Sequence, residues 1–267
     1  MRGRTVRLMT WNIHGGARGG VRRSGARDAD GIVACIDRIG PDILAVQEID
    51  TRAAGADGRR IVPLLADAVG EHRAEAYTLV EADGEYGQAV FSRLSLSANA
   101  THDISWRRRE PRRAIDVTVD MHGHRLRLIA THLGLGLRER RFQARRLETA
   151  LGPSMQIPTV VVGDFNDWFP LAFVDWRLRP LLPVVTRIAT FPARLPLLAL
   201  DRIYGSADLR VAAARAVRET RLTSDHLGLV ADIVLPDAVR ADAVPADVRR
   251  CAPAVSAASS PGSVPAT

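Results

Sequence analysis

The sequence predicts an α/β (α+β) protein whose strands pair mostly antiparallel. Five short strand patterns follow one another between Glu75 and Ala130, with turn residues but no helical pattern between them. Consecutive strands without intervening helices favour antiparallel pairing. Helical patterns stand before and after this region, and apolar residues make up 46% of the 267 residues. That apolar share is enough for a sizeable core without disulfides, so we expect one domain over residues 1–235.

The first elements alternate between strand and helix. Residues Arg4–Trp11 alternate in polarity and are rich in Val, Leu and Thr, which is typical of a strand. Asp28–Ile39 has apolar residues at helical spacing, with an aspartate in the N-cap position, and Gly40 ends this helix. Asp42–Gln47 is a nearly continuous apolar strand, and Arg60–Val69 is a second helix.

The rest of the domain is richer in strands. A long helix is predicted over Arg138–Leu151, and Leu171–Leu182 is helical or irregular. After Pro236 the chain turns to Ala, Pro, Ser and Val without a periodic apolar face, which predicts a disordered tail over residues 236–267. The remaining strands are predicted over Ala76–Glu81, Gln88–Ser92, Leu96–Ile104, Ala114–Asp120, Arg125–Ala130, Thr159–Gly163, Leu200–Tyr204, Arg210–Ala216 and Leu227–Leu235.

Composition narrows the class of protein. No apolar run approaches the roughly 18 residues that cross a bilayer, and the start lacks the apolar centre of a signal peptide, so a soluble cytoplasmic protein is expected. The two cysteines, Cys35 and Cys251, predict no disulfide framework. The net charge is +7, but every basic residue is arginine. This absence of lysine suggests a compositional bias, which makes charge weak evidence for a polyanionic partner.

Polar side chains stand at the ends of four predicted apolar strands. Asn12 follows the first strand, Glu48 follows the second, Asp164 comes directly after TVVVG, and His226 precedes LGLVADI. An isolated Asp or Asn in such a place is more often a turn former or a helix cap. Four such places that all carry a carboxylate, an amide or an imidazole indicate a functional site, because strand ends fix the direction of side chains that bind ligands.

These residue types suit divalent-metal phosphoester chemistry. Glu48 and Asp225 could supply the carboxylate oxygens that Mg²⁺ prefers, whereas the amide of Asn166 can donate to phosphate oxygens without adding negative charge. Asp164 could orient and deprotonate a water, and imidazoles could protonate or stabilise oxygens around phosphorus. The sequence contains no GxGxxG, GxxxxGK[ST], HExxH, CxxC or GxSxG motif, which excludes the usual dinucleotide, P-loop, zinc and serine-hydrolase signatures.

Seven segments together resemble the endonuclease/exonuclease/phosphatase superfamily, which includes pancreatic-type deoxyribonuclease, abasic-site endonucleases, neutral sphingomyelinases and inositol-polyphosphate 5-phosphatases. They run in family order over roughly residues 5 to 234. The resemblance implies a four-layer sandwich of two packed, mostly antiparallel sheets flanked by helices. The segments are TWNIHGG (10–16), ILAVQEID (43–50), YGQAVFSR (86–93), ATHLG (130–134), VVGDFND (161–167), LDRIYGS (200–206) and SDHLGLVADI (224–233).

The resemblance also implies a metal site. Glu48 is similar to the metal-binding glutamate of the family. Asn12 is expected to help hold the metal or the substrate phosphate, and Asp225 to be a further metal or supporting carboxylate. The expected cofactor is Mg²⁺, with Mn²⁺ as a substitute.

Five residues take catalytic roles by the same resemblance. Asp164 matches the aspartate that positions the attacking water, and Asn166 its neighbour that steadies the nucleophile and the phosphate. His226 resembles the histidine that contacts the scissile phosphate, held by Asp201. His132 matches a histidine near the leaving-group oxygen. The implied reaction is in-line attack of water on phosphorus without a covalent intermediate.

Other positions leave alternatives open. Gln88 stands where many members have an asparagine. Tyr86 could face the site and bind substrate, or could pack at a strand end. Arg113 stands where the family often has a phosphate-facing arginine, but Arg112 fits the spacing equally well. His14 is near the site, and a solvated loop histidine is the blander interpretation.

Nucleic acid is the leading substrate class. Arginines cluster near the expected mouth of the site, at Arg18, Arg22, Arg23 and Arg27, at 107–109 and over 138–146, and such groups would engage backbone phosphates. The alternative is an arginine-rich solvated surface.

A phospholipid-headgroup or small phosphoester hydrolase is the second hypothesis. The apolar segments Trp168–Pro170 and Leu195–Leu200 could touch a membrane interface, although such segments are more often core. An inactive binding scaffold is a remote third possibility. The sequence implies no stable protein partner and predicts a monomer.

Overall fold

The computed structural model describes residues 4–17, 27–52, 61–121, 123–152, 155–168 and 173–236. These residues form four α-helices and twelve strands. The helices are α1 (Ala29–Ile39), α2 (Ile61–Val69), α3 (Leu137–Leu151) and α4 (Phe173–Leu178). The strands are β1 (Thr5–Asn12), β2 (Ile43–Asp50), β3 (His72–Glu81), β4 (Gly84–Ser92), β5 (Ser95–Asp103), β6 (Arg113–Asp120), β7 (Arg125–His132), β8 (Thr159–Asp164), β9 (Val184–Val185), β10 (Asp201–Gly205), β11 (Arg210–Val217) and β12 (Gly228–Val234).

The strands form two six-stranded sheets. The strand order is β11-β12-β1-β2-β4-β3 in the first sheet and β5-β6-β7-β8-β10-β9 in the second. Neighbouring strands are antiparallel except for one central pair in each sheet, β1 with β2 and β7 with β8. Parallel neighbours need a crossover connection, usually a helix, and α1 and α3 supply the two crossovers. The expectation of two mostly antiparallel sheets is confirmed.

Three apolar layers hold the sandwich together. Side chains alternate across each strand, so Val6 and Leu8 of β1 pack between the two sheets, while Met9 and Trp11 pack against α1 and α2. In the second sheet, Val161 of β8 packs on the α3 and α4 side. Two sheets with helices outside each of them make the four-layer architecture that the family resemblance implies.

Most predicted elements have the expected bounds within a few residues. Asp28 caps α1, because its Oδ1 accepts a hydrogen bond from the Gly31 N–H at 3.0 Å. β3 begins at His72, four residues before the predicted start, because its first half pairs with β4. The predicted helical or irregular segment 171–182 contains only the short α4 among its described residues. The predicted tail lies outside the described residues beyond Pro236 and stays a prediction.

No helix in the described part of the chain is long and apolar enough to cross a membrane.

Candidate active site

The central parallel pairs of the two sheets end at one cleft. Asn12 is the last residue of β1 and Glu48 lies near the end of β2, while His132 and Asp164 are the last residues of β7 and β8. His132 and Asp164 are register partners across the parallel pair. The cleft has a volume of about 610 Å³, and its walls include Asn12, Glu48, His132, Asp164, Asn166, Asp225 and His226. Asp201 lies behind His226.

Asp164 lies at the centre of the polar groups. Its Oδ2 accepts a hydrogen bond from Asn12 Nδ2 at 3.1 Å, and its Oδ1 accepts one from the Asn166 N–H at 2.9 Å. The Nε2 atoms of His132 and His226 lie 3.5 and 3.8 Å from Asp164 Oδ2. Burial raises the pKa of Asp164 to about 6, against the opposing charge of His226. The carboxylate is therefore ionised at neutral pH and can take up a proton.

His226 is paired with a fully buried carboxylate. Its Nδ1 lies 2.8 Å from Asp201 Oδ2, and this contact directs Nε2 towards Asp164. Burial lowers the pKa of His226, but the charges of Asp201 and Asp164 outweigh burial and raise the pKa to about 10. At neutral pH the ring is an imidazolium that can donate at both nitrogens. The ring of Phe191 lies against it at 4.8 Å between centroids.

His132 has the opposite electrostatics. Burial, followed by the charge of Arg112, holds the pKa of His132 well below 6.5. Arg112 Nη1 donates to His132 Nδ1 at 2.7 Å. Because Nδ1 then accepts, the ring proton of the neutral imidazole belongs on Nε2, which points to Asp164. His132 and His226 thus differ in charge at neutral pH.

Carboxylates on the more open side of the cleft surround His14. The His14 Nδ1 lies 3.7 Å from Glu48 Oε2 and 3.4 Å from Asp225 Oδ1. Asn12 Nδ2 donates to Glu48 Oε1 at 3.0 Å, and Asn12 Oδ1 accepts from the His14 N–H at 3.0 Å. Glu48 and Asp225 therefore face one another across the imidazole, which sequence reasoning treated as a solvated loop residue.

The donor set fits a divalent cation. Among the described residues, Asp164, Asp201 and His226 form a buried group whose ligand atoms lie within 4.8 Å of one another. The Oδ1 of Asp201 is buried without a hydrogen-bond partner in the described structure, but the other members of this group already contact each other. Glu48 and Asp225 are more exposed and offer carboxylate oxygens with room for water, which is the coordination that Mg²⁺ prefers.

Backbone geometry fixes two of the site residues. Glu48 has φ of 57° and lies where the pairing of β2 with β4 shifts register, which is a β-bulge. Asn166 has φ of 49°, and its side chain donates to the Leu133 carbonyl at 2.9 Å. Such left-handed backbone is uncommon for residues other than glycine and persists where surrounding contacts hold it. Each of these residues therefore has a fixed direction.

The two candidate arginines occupy different places. Arg112 lines the cleft and contacts His132, whereas Arg113 is exposed and outside the cleft lining. The main-chain carbonyl of Arg113 accepts a hydrogen bond from Gln88 Nε2 at 2.6 Å. We therefore place Arg112, rather than Arg113, among the groups that can meet a phosphate. Tyr86 is buried and lines the cleft, with the Arg52 guanidinium 5.3 Å from its ring centre.

The walls of the cleft are largely apolar. The sequence pattern favoured a core position for Leu195 and Leu197, but both side chains are exposed in the structure. The sequence pointed to Trp168 and to the segment Leu195–Leu200 as apolar segments near the site. It did not identify Leu79, Leu135 and Phe191, because they come from segments that are distant along the chain and lie outside the recognised motifs. The apolar wall residues are Leu79, Leu135, Trp168, Phe191, Leu198 and Leu200.

Known proteins resemble this chain in sequence. The model of the Endonuclease/Exonuclease/phosphatase family matches residues 9–226. The chain is 32% identical over 182 residues to the uncharacterized protein YbhP of Escherichia coli (strain K12), covering 64% of this chain and 72% of that protein.

Solved structures share the fold. A protein of Beutenbergia cavernae DSM 12333, described as an endonuclease/exonuclease/phosphatase, superposes with a TM-score of 0.69 and 22% identity, covering 88% of this chain and 72% of that chain. The human Nocturnin catalytic domain with a bound sulfate anion gives 0.64 and 21%, covering 88% and 96%. With the family model matching most of the chain, this protein belongs to the endonuclease/exonuclease/phosphatase family.

Proposed function

We propose that this protein is a divalent-metal-dependent phosphodiesterase that cleaves its substrate by attack of water on phosphorus. The observation that carries the proposal is the buried carboxylate of Asp164, around which Asn12, Asn166 and the two histidines of opposite electrostatics converge. Family membership supports phosphoester hydrolysis, and the contacts within the cleft support the role proposed for each residue.

Asp164 would hold the attacking water and take its proton. A pKa of about 6 leaves this carboxylate ionised at neutral pH while keeping it basic enough to accept a proton. Asn12 and Asn166 fix both carboxylate oxygens by hydrogen bonds, so the direction of attack would be set before the substrate arrives. Positioning of this kind lowers the barrier because less orientational freedom is lost in the reaction.

His226 and His132 would act on the oxygens of the phosphate. The imidazolium of His226 can donate from Nε2 to a non-bridging oxygen, where negative charge grows as the water attacks. The neutral His132 can donate from Nε2 towards the leaving-group oxygen. Arg112, which fixes the His132 ring, also brings a positive charge to the same wall of the cleft.

A divalent cation would be held by Glu48 and Asp225, with Asn12 in support. When bound, it would stabilise charge on the phosphate oxygens and help acidify the attacking water. The Asn12 side chain contacts Glu48 and Asp164 at once, so it would connect the cation to the base. Mg²⁺ is proposed because Glu48, Asp225 and Asn12 all offer side-chain oxygens, which this ion prefers to a ring nitrogen such as that of the neighbouring His14.

The test uses bis(p-nitrophenyl) phosphate, a soluble phosphodiester. Turnover is expected to stop on chelation and to return with Mg²⁺ or Mn²⁺. Asp164→Ala and His226→Ala are expected to be nearly inactive, whereas the exposed His72→Ala and the Arg7-paired Asp232→Ala serve as controls outside the cleft. Unchanged turnover in either cleft variant, or turnover that ignores chelation, would overturn the proposal.

The expectation of a nucleic-acid substrate stays a prediction. Arg18, Arg22 and Arg23 lie outside the described residues, and the arginines that line the cleft in the described structure are Arg52 and Arg112. The apolar side chains that line the cleft favour a different class of substrate.

A further inference from the structure

Exposed apolar side chains are concentrated around the mouth of the cleft. Leu135, Trp168, Leu195 and Leu197 are between 42% and 71% exposed. Leu135 and Trp168 line the cleft itself, and Leu195 and Leu197 belong to a loop whose two ends, Phe191 and Leu198, also line it. Contiguous exposed apolar surface is uncommon on soluble proteins unless it binds something. We call the surface formed by these side chains, Leu135, Trp168, Leu195 and Leu197, the apolar rim.

The loop that carries the two leucines is rigidly built. Phe191 and Leu198 form an antiparallel β-bridge. The Leu198 N–H donates to the Phe191 carbonyl at 2.8 Å, and the Phe191 N–H donates to the Leu198 carbonyl at 3.1 Å. The Leu195 N–H donates to the Pro192 carbonyl at 3.0 Å, which closes the tip. Leu195 and Leu197 therefore project from an ordered support, and docking them costs little conformational entropy.

The same loop is bonded to the catalytic groups. The Ala193 N–H donates to the main-chain carbonyl of Asp225 at 2.7 Å, and the Leu227 N–H donates to the Thr190 carbonyl at 2.8 Å. Between these two bonds, the Phe191 ring lies against the His226 ring. An object that contacts the tip of this loop is thereby positioned relative to Asp225 and His226.

Positive charge flanks the apolar rim. Arg194 is exposed at the loop tip, next to Leu195. A second groove of about 840 Å³ is lined by Arg107, Arg108, Arg109 and Arg138. In sequence, these arginines lie close to Glu110 and Leu135, which line the cleft. Apolar side chains among arginines are the pattern of a surface that inserts at the interface of an anionic membrane, where each basic group adds roughly 1 kcal/mol of attraction.

We propose that the apolar rim docks on a bilayer containing anionic phospholipid, and that the substrate is a phospholipid whose phosphoester headgroup enters the cleft. This inference rests on the proposed function, since it names the substrate class of that same site. The cleft accepts a phosphate between Arg112 and the two histidines, while its apolar walls accept the glycerol and upper acyl region. The rim then contacts neighbouring lipids.

A nucleic acid fits these contacts less well. A phosphodiester backbone offers negative charge and polar sugar edges along its whole length, so Leu195 and Leu197 would lie against polar groups. Apolar contact with a bilayer instead removes both side chains from water. A nucleic-acid substrate is therefore the competing outcome of the tests below.

The first test measures binding of the full chain to sedimenting vesicles of phosphatidylcholine, alone or mixed with phosphatidylglycerol. We expect binding to the mixed vesicles that weakens as salt is raised, because the arginine contribution is screened. The double variant Leu195→Ser/Leu197→Ser should bind about 100-fold more weakly, at about tenfold for each buried leucine. Leu222→Ser is the matched control, because Leu222 is 66% exposed and lies outside the cleft lining.

The second test uses tryptophan emission as a report of which face docks. Addition of mixed vesicles should shift the emission of the wild type to shorter wavelength, since Trp168 enters an apolar environment. Trp168→Phe should abolish the shift. Trp176→Phe, which removes the other exposed tryptophan of the described structure, should retain it. A shift that depends on Trp176 and not on Trp168 would overturn the proposed face.

Turnover separates this inference from the proposed function. Hydrolysis of bis(p-nitrophenyl) phosphate without binding to mixed vesicles, or with tighter binding to duplex DNA or RNA than to vesicles, overturns the lipid inference and leaves the hydrolase proposal standing. Vesicle binding without hydrolysis of any phosphodiester overturns the hydrolase and, with it, the phospholipid as a substrate. Equal vesicle binding by the double leucine variant and the wild type overturns the role of the rim. Melting temperatures of the variants show that each is folded.

Discussion

The substitution Asp201→Asn tests how the charge of His226 is maintained. The wild-type carboxylate is fully buried, and its Oδ2 lies 2.8 Å from His226 Nδ1. Asparagine has nearly the same shape and can still accept the hydrogen bond, but it carries no charge. The variant therefore removes the charge of Asp201 from the imidazolium and leaves the packing of the cleft in place.

The expected effect follows from the pKa of His226. Raising it from 6.5 to about 10 corresponds to about 5 kcal/mol of preference for the imidazolium in the fold. Among the neighbouring charges that raise this pKa, Asp201 is the largest, so its loss should return the pKa towards 6.5. Since the pKa is raised in the fold, its stabilisation is fully present below pH 6.5 and is lost as pH rises through about 10.

Asp201→Asn should thus lower the free energy of unfolding by about 3 kcal/mol at and below neutral pH, as loss of one partner of a buried pair does. The deficit should shrink as pH rises above about 6.5 and should be lost above pH of about 10. Loss of the oriented imidazolium should also reduce kcat for bis(p-nitrophenyl) phosphate about 100-fold. Denaturant unfolding across pH, NMR titration of the imidazole, and kcat measure these effects. An unchanged pKa of His226, with kcat within about twofold of the wild type, would refute the reasoning.

Three further predictions concern the base, the arginine and the strand that carries Asp164. Because the pKa of Asp164 is about 6, kcat/KM should be level near neutral pH and fall about tenfold per pH unit below about 6; a level profile down to pH of about 4 would contradict this. Arg112→Lys should reduce kcat/KM about tenfold or more, because lysine cannot hold the same fork geometry, whereas Arg113→Lys should change it little; the reverse order would assign the phosphate to Arg113. Gly163→Ala should destabilise the fold by about 2–4 kcal/mol, because a Cβ there would overlap the Thr131 carbonyl oxygen and because Gly163 has a φ of 141°, which strains any other residue. Gly205→Ala, in the neighbouring strand with only ordinary contacts, should cost much less in a melting experiment.

Much of the fold can be predicted from the sequence because hydrophobic periodicity is local information. The alternation in β1 and the apolar run of β8 identify strands directly, and Asp28 marks the start of α1. The pairing of strands is different. β1 with β2 and β7 with β8 occupy equivalent central places in the two sheets, and no repeat in the sequence announces this.

The site residues also divide into those that can be predicted from the sequence and those that require the tertiary structure. Asp164 and His226 can be predicted because they stand in motifs at strand ends. His14 could not be ranked from the sequence, because its role depends on Glu48 and Asp225 arriving from two other segments. The bulge that turns Glu48 into the cleft is likewise a property of the β2–β4 pairing. Residues from distant loops, such as Phe191, needed the tertiary structure.

Isotope labelling of the product tests the central claim most directly. The wild type, with Mg²⁺ supplied, is given a soluble phosphodiester in water enriched in ¹⁸O for a single turnover, and the products are analysed by mass spectrometry. Attack of water on phosphorus, assisted by Asp164, predicts one ¹⁸O atom in the phosphorus-containing product and none in the released alcohol, with no product from Asp164→Ala. Label in the alcohol, or equal product from Asp164→Ala, would contradict the account.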